Sequence, residues 1–166
     1  MKTTFLRRGL TVLIAGVIGA AAMTGSADAD SARWKPDVVA QWAAAWNGGD
    51  PQALAKLFTH DATYTDYGVN KVSTGRDGVA AWKYGTDQLI ADVRITVKSS
   101  FRGGDRIAVE TIYAGHIKGA PTPFAVPTTT ILELRGTLIS ADRDYYSLAT
   151  LLAQSGLPAD WTPPTA

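Results

Sequence analysis

The chain has 166 residues, with 16 basic and 15 acidic side chains, two histidines and no cysteine. A net charge of +1 gives no electrostatic reason to bind nucleic acid or an anionic membrane. The missing cysteine excludes disulfide staples, thiol catalysis and cysteine-held metals, so stability must come from packing.

Lys2, Arg7 and Arg8 precede an apolar run from Leu10 to Met23, followed by Ala27-Asp28-Ala29. That is the layout of an export signal with an A-x-A cleavage site. The run is shorter than the roughly 20 residues of a membrane-spanning helix, so residues 1–29 are expected to be removed rather than kept as an anchor. The adjacent arginines leave both general and twin-arginine export open, with an ordinary basic n-region the simpler reading. Cleavage after Ala29 predicts a secreted or periplasmic chain of residues 30–166, sized for one domain and without a membrane partner. It keeps thirteen basic and fourteen acidic side chains.

From Lys35 to Trp46, Val38, Val39, Trp42, Ala45 and Trp46 recur at helical spacing, Pro36 suits a first turn, and Asn47-Gly48-Gly49 stops the helix. Asp50-Pro51 caps a second helix to about Thr59, and Ala62 to Tyr67 has the β-branched and aromatic content of a strand. Thr74-Gly75-Arg76-Asp77 opens a third helix, Gly78 to about Asp87. Beyond Asp92 the period becomes two. Val93–Phe101 and Arg106–His116 form strands around the glycine turn Arg102-Gly103-Gly104-Asp105, and Phe124–Leu134 and Leu138–Tyr146 form another pair around Arg135-Gly136-Thr137. A last helix spans Ser147 to Gln154. Helices followed by a mainly antiparallel sheet define an α+β fold. Trp42, Trp46, Leu54, Leu57, Phe58, Trp82 and Leu89 are the expected core or pocket wall.

Strand alternation sorts the polar side chains into faces. Between Ile107 and His116, one face carries Ala108, Glu110, Ile112, Ala114 and His116, and the other Ile107, Val109, Thr111, Tyr113 and Gly115. Glu110, one of two glutamates, lies mid-strand among apolar residues. There it is either an outward surface group or a carboxylate needing a partner or a raised pKa. In the last strand Ser140, Asp142 and Asp144 share a face. His60 and His116 are far apart and show no metal-ligand spacing, and no phosphate loop, nucleophile elbow or dinucleotide fingerprint occurs, so neither metal nor cofactor is expected.

Three strings resemble the nuclear transport factor 2-like superfamily, and within it the SnoaL-like polyketide cyclases, limonene-epoxide hydrolases and ketosteroid isomerases. They are Gln41-Trp42-Ala43-Ala44-Ala45-Trp46-Asn47-Gly48-Gly49-Asp50, Leu57-Phe58-Thr59-His60-Asp61-Ala62-Thr63-Tyr64, and Arg143-Asp144-Tyr145-Tyr146. The resemblance covers about residues 34–156. It implies a cone in which a curved sheet and N-terminal helices enclose an apolar pocket. It also implies roles: Asp144 at the position of the hydrolase general base, Glu110 at that of its acid, and Tyr64 and Asp66 where residues position the water. Asp66 also matches the isomerase base, and His116 after Gly115 resembles the cyclase pocket histidine.

The departures are equally specific. Ala108 stands where the hydrolases have a bridging arginine, Trp42 and approximately Thr130 stand where isomerases have oxyanion donors, and Thr128-Thr129-Thr130 replaces the cyclase aspartate. Two classes follow: cofactor-independent acid/base chemistry on a small apolar molecule by Asp144, Glu110, Asp66, Tyr64 and His116, or a non-catalytic pocket or interaction domain. Trp42, Trp46, Thr130 and Ile112 are the expected substrate contacts. Asp144 and Glu110 are expected to overlook one cavity and share a proton. The resemblance further implies a homodimer through an outer sheet face bearing Thr111, Tyr113, Ile131 and Tyr145.

Overall fold

A computed structural model describes residues 37–163. The expected signal segment 1–29 and the first residues of the mature chain lie outside the described residues. The first helix, α1 (Val38–Asn47), is capped by Asp37, whose Oδ1 accepts the backbone N–H groups of Val39 at 3.0 Å and Ala40 at 3.4 Å. Its buried stripe is Val39, Trp42, Ala43, Ala45 and Trp46. At its C-terminal end the Asn47 amide pairs with both backbone groups of Ile95, accepting from N at 2.6 Å and donating to O at 3.0 Å. The helix is thereby fastened to a strand 48 residues further along the chain.

The second helix, α2 (Pro51–Ala55), starts at an Asp50 cap with Pro51 in its first turn, and ends four residues before the expected Thr59. Strand β1 (Phe58–Asp66) takes over those residues because they pair with a strand from the other end of the chain: Phe58 is opposite Ile139, and Leu57 O accepts Ile139 N at 2.8 Å. A short strand, β2 (Lys71–Thr74), was not apparent in the sequence pattern; it is an edge of four residues paired with β1. Helix α3 (Gly75–Leu89) is longer at both ends than the pattern predicts.

Strands β3 (Ile90–Gly103), β4 (Arg106–Ile117), β5 (Phe124–Arg135) and β6 (Leu138–Tyr145) follow, then helix α4 (Leu148–Gln154). The order across the sheet is β2-β1-β6-β5-β4-β3, and only the β1–β6 pair is parallel. Register shifts interrupt β3 between Ala91 and Arg94 and between Val97 and Ser99, with Asp92 at a φ of +56° in the first. Such irregularities bend a strand, and here they curve an unclosed sheet around α1 and α3.

Two clusters fill the concave side. The larger joins Trp42, Trp46, Leu54, Phe58, Tyr64 and Val79 to β4–β6; the smaller packs Ile117, Phe124 and Val126 under Leu151 and Leu152 of α4. Each large side chain fully buried in this way contributes roughly 1.5–3 kcal/mol. The cavity lies where the sheet side of the first cluster is left unfilled.

Candidate functional site

The inner face of the sheet and helices α1 and α3 enclose a cavity of about 390 Å³. Its walls are aromatic: Trp42 and Trp46 from α1, Trp82 from α3, Tyr64 from β1, Tyr113 from β4, and Tyr146 just after β6. Val69, Lys71 and Pro163, all exposed, stand at its mouth.

Register brings the carboxylates together. Asp144 lies opposite Asp66 on one side and Thr130 on the other, while Asp142 lies opposite Tyr64. Thr130 donates its hydroxyl to Asp144 Oδ1, and Tyr64 reaches along the face to donate to Oδ2. Asp66 accepts from Val69 N and from the Tyr146 hydroxyl, both at 3.1 Å. Tyr146 can lie there because residue 68 is glycine; a Cβ at that position would overlap its ring. Asp142, fully buried behind the wall, accepts the Trp42 indole N–H at 3.0 Å, and its Oδ1 has no partner among the described residues.

Among the described residues no ion pair reaches this cluster, and Lys71, opposite Asp66, is exposed at the mouth. Arg143 points to the opposite face and pairs with Glu133 at 2.7 Å. Burial therefore dominates the proton affinities. It raises Asp144 to about 6, against the donations from Thr130 and Tyr64 and with some help from the Asp66 charge. Burial also raises Asp66, against the Val69 N–H, and raises Asp142 well above the carboxylate range, reinforced by the charge of Asp144. Asp142 is thereby biased toward its protonated form, and of its two oxygens only Oδ2 has a partner, the Trp42 indole. Tyr64 is held protonated by burial and by the Asp144 charge beside it.

Of the side chains singled out in the sequence, Asp144, Asp66, Tyr64, Thr130, Trp42 and Trp46 meet at this cavity. Glu110, Ile112 and His116 do not. Glu110 is exposed on the outer face and accepts from Ser99 Oγ at 2.8 Å, so the expected Glu110–Asp144 pair does not form. Ile112 is half-buried on the same face, and His116 Nε2 donates to Ala120 O at 2.9 Å, closing the turn after β4. The cause is the β4–β5 register, which sets Val109 against Thr130, Thr111 against Thr128 and Tyr113 against Val126. Cross-strand partners share a face. With Thr130 inward, Thr111 and Tyr113 line the cavity, and neither belongs to the outer face to which dimerisation was assigned. Asp142, Tyr113 and Tyr146 are the site residues that pattern reasoning missed. Asp142 and Tyr146 both had a signal, since alternation sets each on the Asp144 face, two residues away on either side.

The SnoaL-like domain family matches residues 39–141, and the chain belongs to it. No functionally curated protein is significantly similar. A protein of ketosteroid isomerase-like fold from Catenulispora acidiphila, solved in complex with trimethylamine, is 53% identical; the match covers 77% of this chain and 98% of that one, with a TM-score of 0.76. TsrD from Streptomyces laurentii is 20% identical over 75% of this chain and 96% of its own, with a TM-score of 0.65. A protein from Shewanella denitrificans described as a SnoaL-like polyketide cyclase is 16% identical over 74% of this chain and 96% of its own, also at 0.65. The last two carry the fold alone, the nuclear transport factor 2-like arrangement of a curved, unclosed six-stranded sheet and helices.

Proposed function

We propose that this domain is an exported small-molecule pocket whose ligand is small, mainly apolar and carries a positively charged nitrogen. One observation carries the reading: Asp144 and Asp66 line a cavity walled by aromatic rings, and none of the ion pairs among the described residues engages them, Lys71 standing exposed at the mouth. Aromatic faces attract alkylammonium ions electrostatically, by about 0.5–2 kcal/mol per ring, most where water is excluded. A carboxylate whose pKa burial has raised regains its charge when a cation settles beside it. The 53% identical Catenulispora protein, solved with trimethylamine, supports the same ligand chemistry. Export is supported by the basic n-region, apolar run and Ala27-Asp28-Ala29 site.

Titration calorimetry of residues 30–166 with trimethylamine at pH 7.5 tests the reading. One-to-one binding that is lost in Asp144→Asn is expected, and a flat titration rejects it. N-terminal sequencing of exported material is expected to give Asp30; Met1 on the exported product would reject the signal.

A second reading, acid/base catalysis without cofactor, is favoured by the proton affinity of Asp144 alone. A carboxyl group held near 6 is ionised at neutral pH yet basic enough to take a proton from a bound substrate, while burial pushes Asp142 and Tyr64 behind it toward their protonated forms. Without Glu110 in the cavity, this chemistry would rest on Asp144 and Asp66.

A further inference from the structure

We propose that the ligand is a monocationic amphiphile: an alkylammonium head at Asp144 and Asp66 joined to an apolar body that crosses the sheet toward β3. This rests on the reading of the site as an amine pocket and names what occupies the remainder of it.

The argument starts from size. A trimethylammonium ion takes about the room of four waters, at roughly 30 Å³ each, and so fills only about a third of the 390 Å³ available. The remaining space has a direction, set by the strand order. Asp66 and Asp144 belong to the adjacent strands β1 and β6, whereas Ile90 and Ile95, at the other end of the lining, belong to β3. Three strand spacings separate β6 from β3, roughly 14 Å along the sheet before curvature shortens it. Between them the wall is supplied by Thr111 and Tyr113 of β4, and none of the lining residues beyond the Asp66–Asp144 end is charged. Charge is therefore concentrated at one end. A compact cation alone would leave the β3 end against water, and a neutral hydrocarbon would leave the carboxylates without a counter-charge. A molecule with both parts satisfies both ends.

Lys71 restricts the charge of that molecule further. It is the only basic residue lining the cavity among the described residues, it lies opposite Asp66 in the β1–β2 register, and it is exposed at the mouth. A ligand projecting a second ammonium through the mouth would meet it, so a single positive charge is preferred.

The test is a calorimetric series on residues 30–166 at pH 7.5 with trimethylamine, N,N-dimethylbutylamine and N,N-dimethylhexylamine, and with the uncharged N,N-dimethylhexanamide. Burying each added methylene is worth up to roughly fourfold in affinity, so the hexyl amine is expected to bind at least about tenfold more tightly than trimethylamine, and the amide far more weakly than the hexyl amine. Trimethylamine binding with no gain along the series would overturn this inference and leave the amine pocket standing. Equal binding of the amide and the hexyl amine, or no binding by any amine, would overturn both.

Discussion

Trp42 on α1 donates its indole N–H at 3.0 Å to Asp142 on β6, one hundred residues further along the chain. The contact closes the apolar floor of the site while spending a buried carboxyl group on it, and Asp142 has no other partner among the described residues. A buried acid with one donor is costly to ionise, and the neighbouring Asp144 makes it costlier. The pair therefore separates two acids of similar position: Asp142 buried against Trp42 and pushed toward its protonated form, Asp144 facing the cavity and able to change charge.

Trp42→Phe should expose this dependence. Part of the buried ring is lost, which adds a cavity cost, and Asp142 Oδ2 loses its donor; a buried acceptor left bare costs about 1–3 kcal/mol. Asp142→Leu removes the acceptor as well, so the cost of Trp42→Phe should fall by roughly 1–2 kcal/mol in that background. Urea unfolding of the four proteins in the cycle measures the coupling; additive effects would mean that the indole hydrogen bond contributes nothing.

Glu110→Gln should be silent. The side chain is exposed and its partner Ser99 can donate to an amide oxygen as well as to a carboxylate, so stability should change by less than about 0.5 kcal/mol and amine affinity not at all. Calorimetry on the variant checks this, and a lost ligand would put Glu110 back into the site.

The misplacement of Glu110 shows where pattern reasoning stops. Alternation separated the two faces of β4 correctly, and the same reasoning set Asp142 with Asp144 and Arg143 opposite them. Which face is inner depends on whether β4 meets β5 at odd or even offset. The connection is not a two-residue turn that fixes register; it is the six-residue segment Lys118–Pro123, and a shift of one residue exchanges the faces. The second helix was legible from Asp50 and Pro51 at its start and the first from its apolar spacing, although its cap is Asp37 and not a turn around Pro36 as the pattern suggested. The short edge β2 was not, since four residues supported by one neighbour carry too little periodicity to register.

Asp144 should make the fold less stable as pH rises through the mildly acidic range. Its folded-state pKa, about 6, lies above the ordinary 3.8, so the native state holds a proton that the unfolded chain has already released. Stability from this group is full below about pH 4 and is lost as pH passes 6, a difference on the order of 3 kcal/mol. Asp144→Asn should remove that slope between pH 4 and 6 and raise the unfolding free energy at pH 7.5 by about 1–3 kcal/mol. Denaturation midpoints of both proteins at pH 4, 5, 6 and 7.5 decide it; parallel curves would show that Asp144 is not held near 6.

Affinity for a permanently charged ligand should run the other way with pH, and this separates the role of Asp144 in binding from its role in folding. Tetramethylammonium does not titrate, so any pH dependence belongs to the protein. The cation favours ionised Asp144, and at low pH binding must first expel the proton that burial keeps on that group. Affinity should therefore be level above about pH 7 and fall by roughly tenfold per pH unit below 6, the signature of one proton released on binding. Tyr64→Phe should move the break upward, because Asp144 loses the hydroxyl that stabilises its charged form. Calorimetry in two buffers of different ionisation enthalpy counts the released proton directly. An affinity independent of pH between 5 and 8 would mean that the cation does not sit beside Asp144, and the amine assignment would then have lost its physical basis.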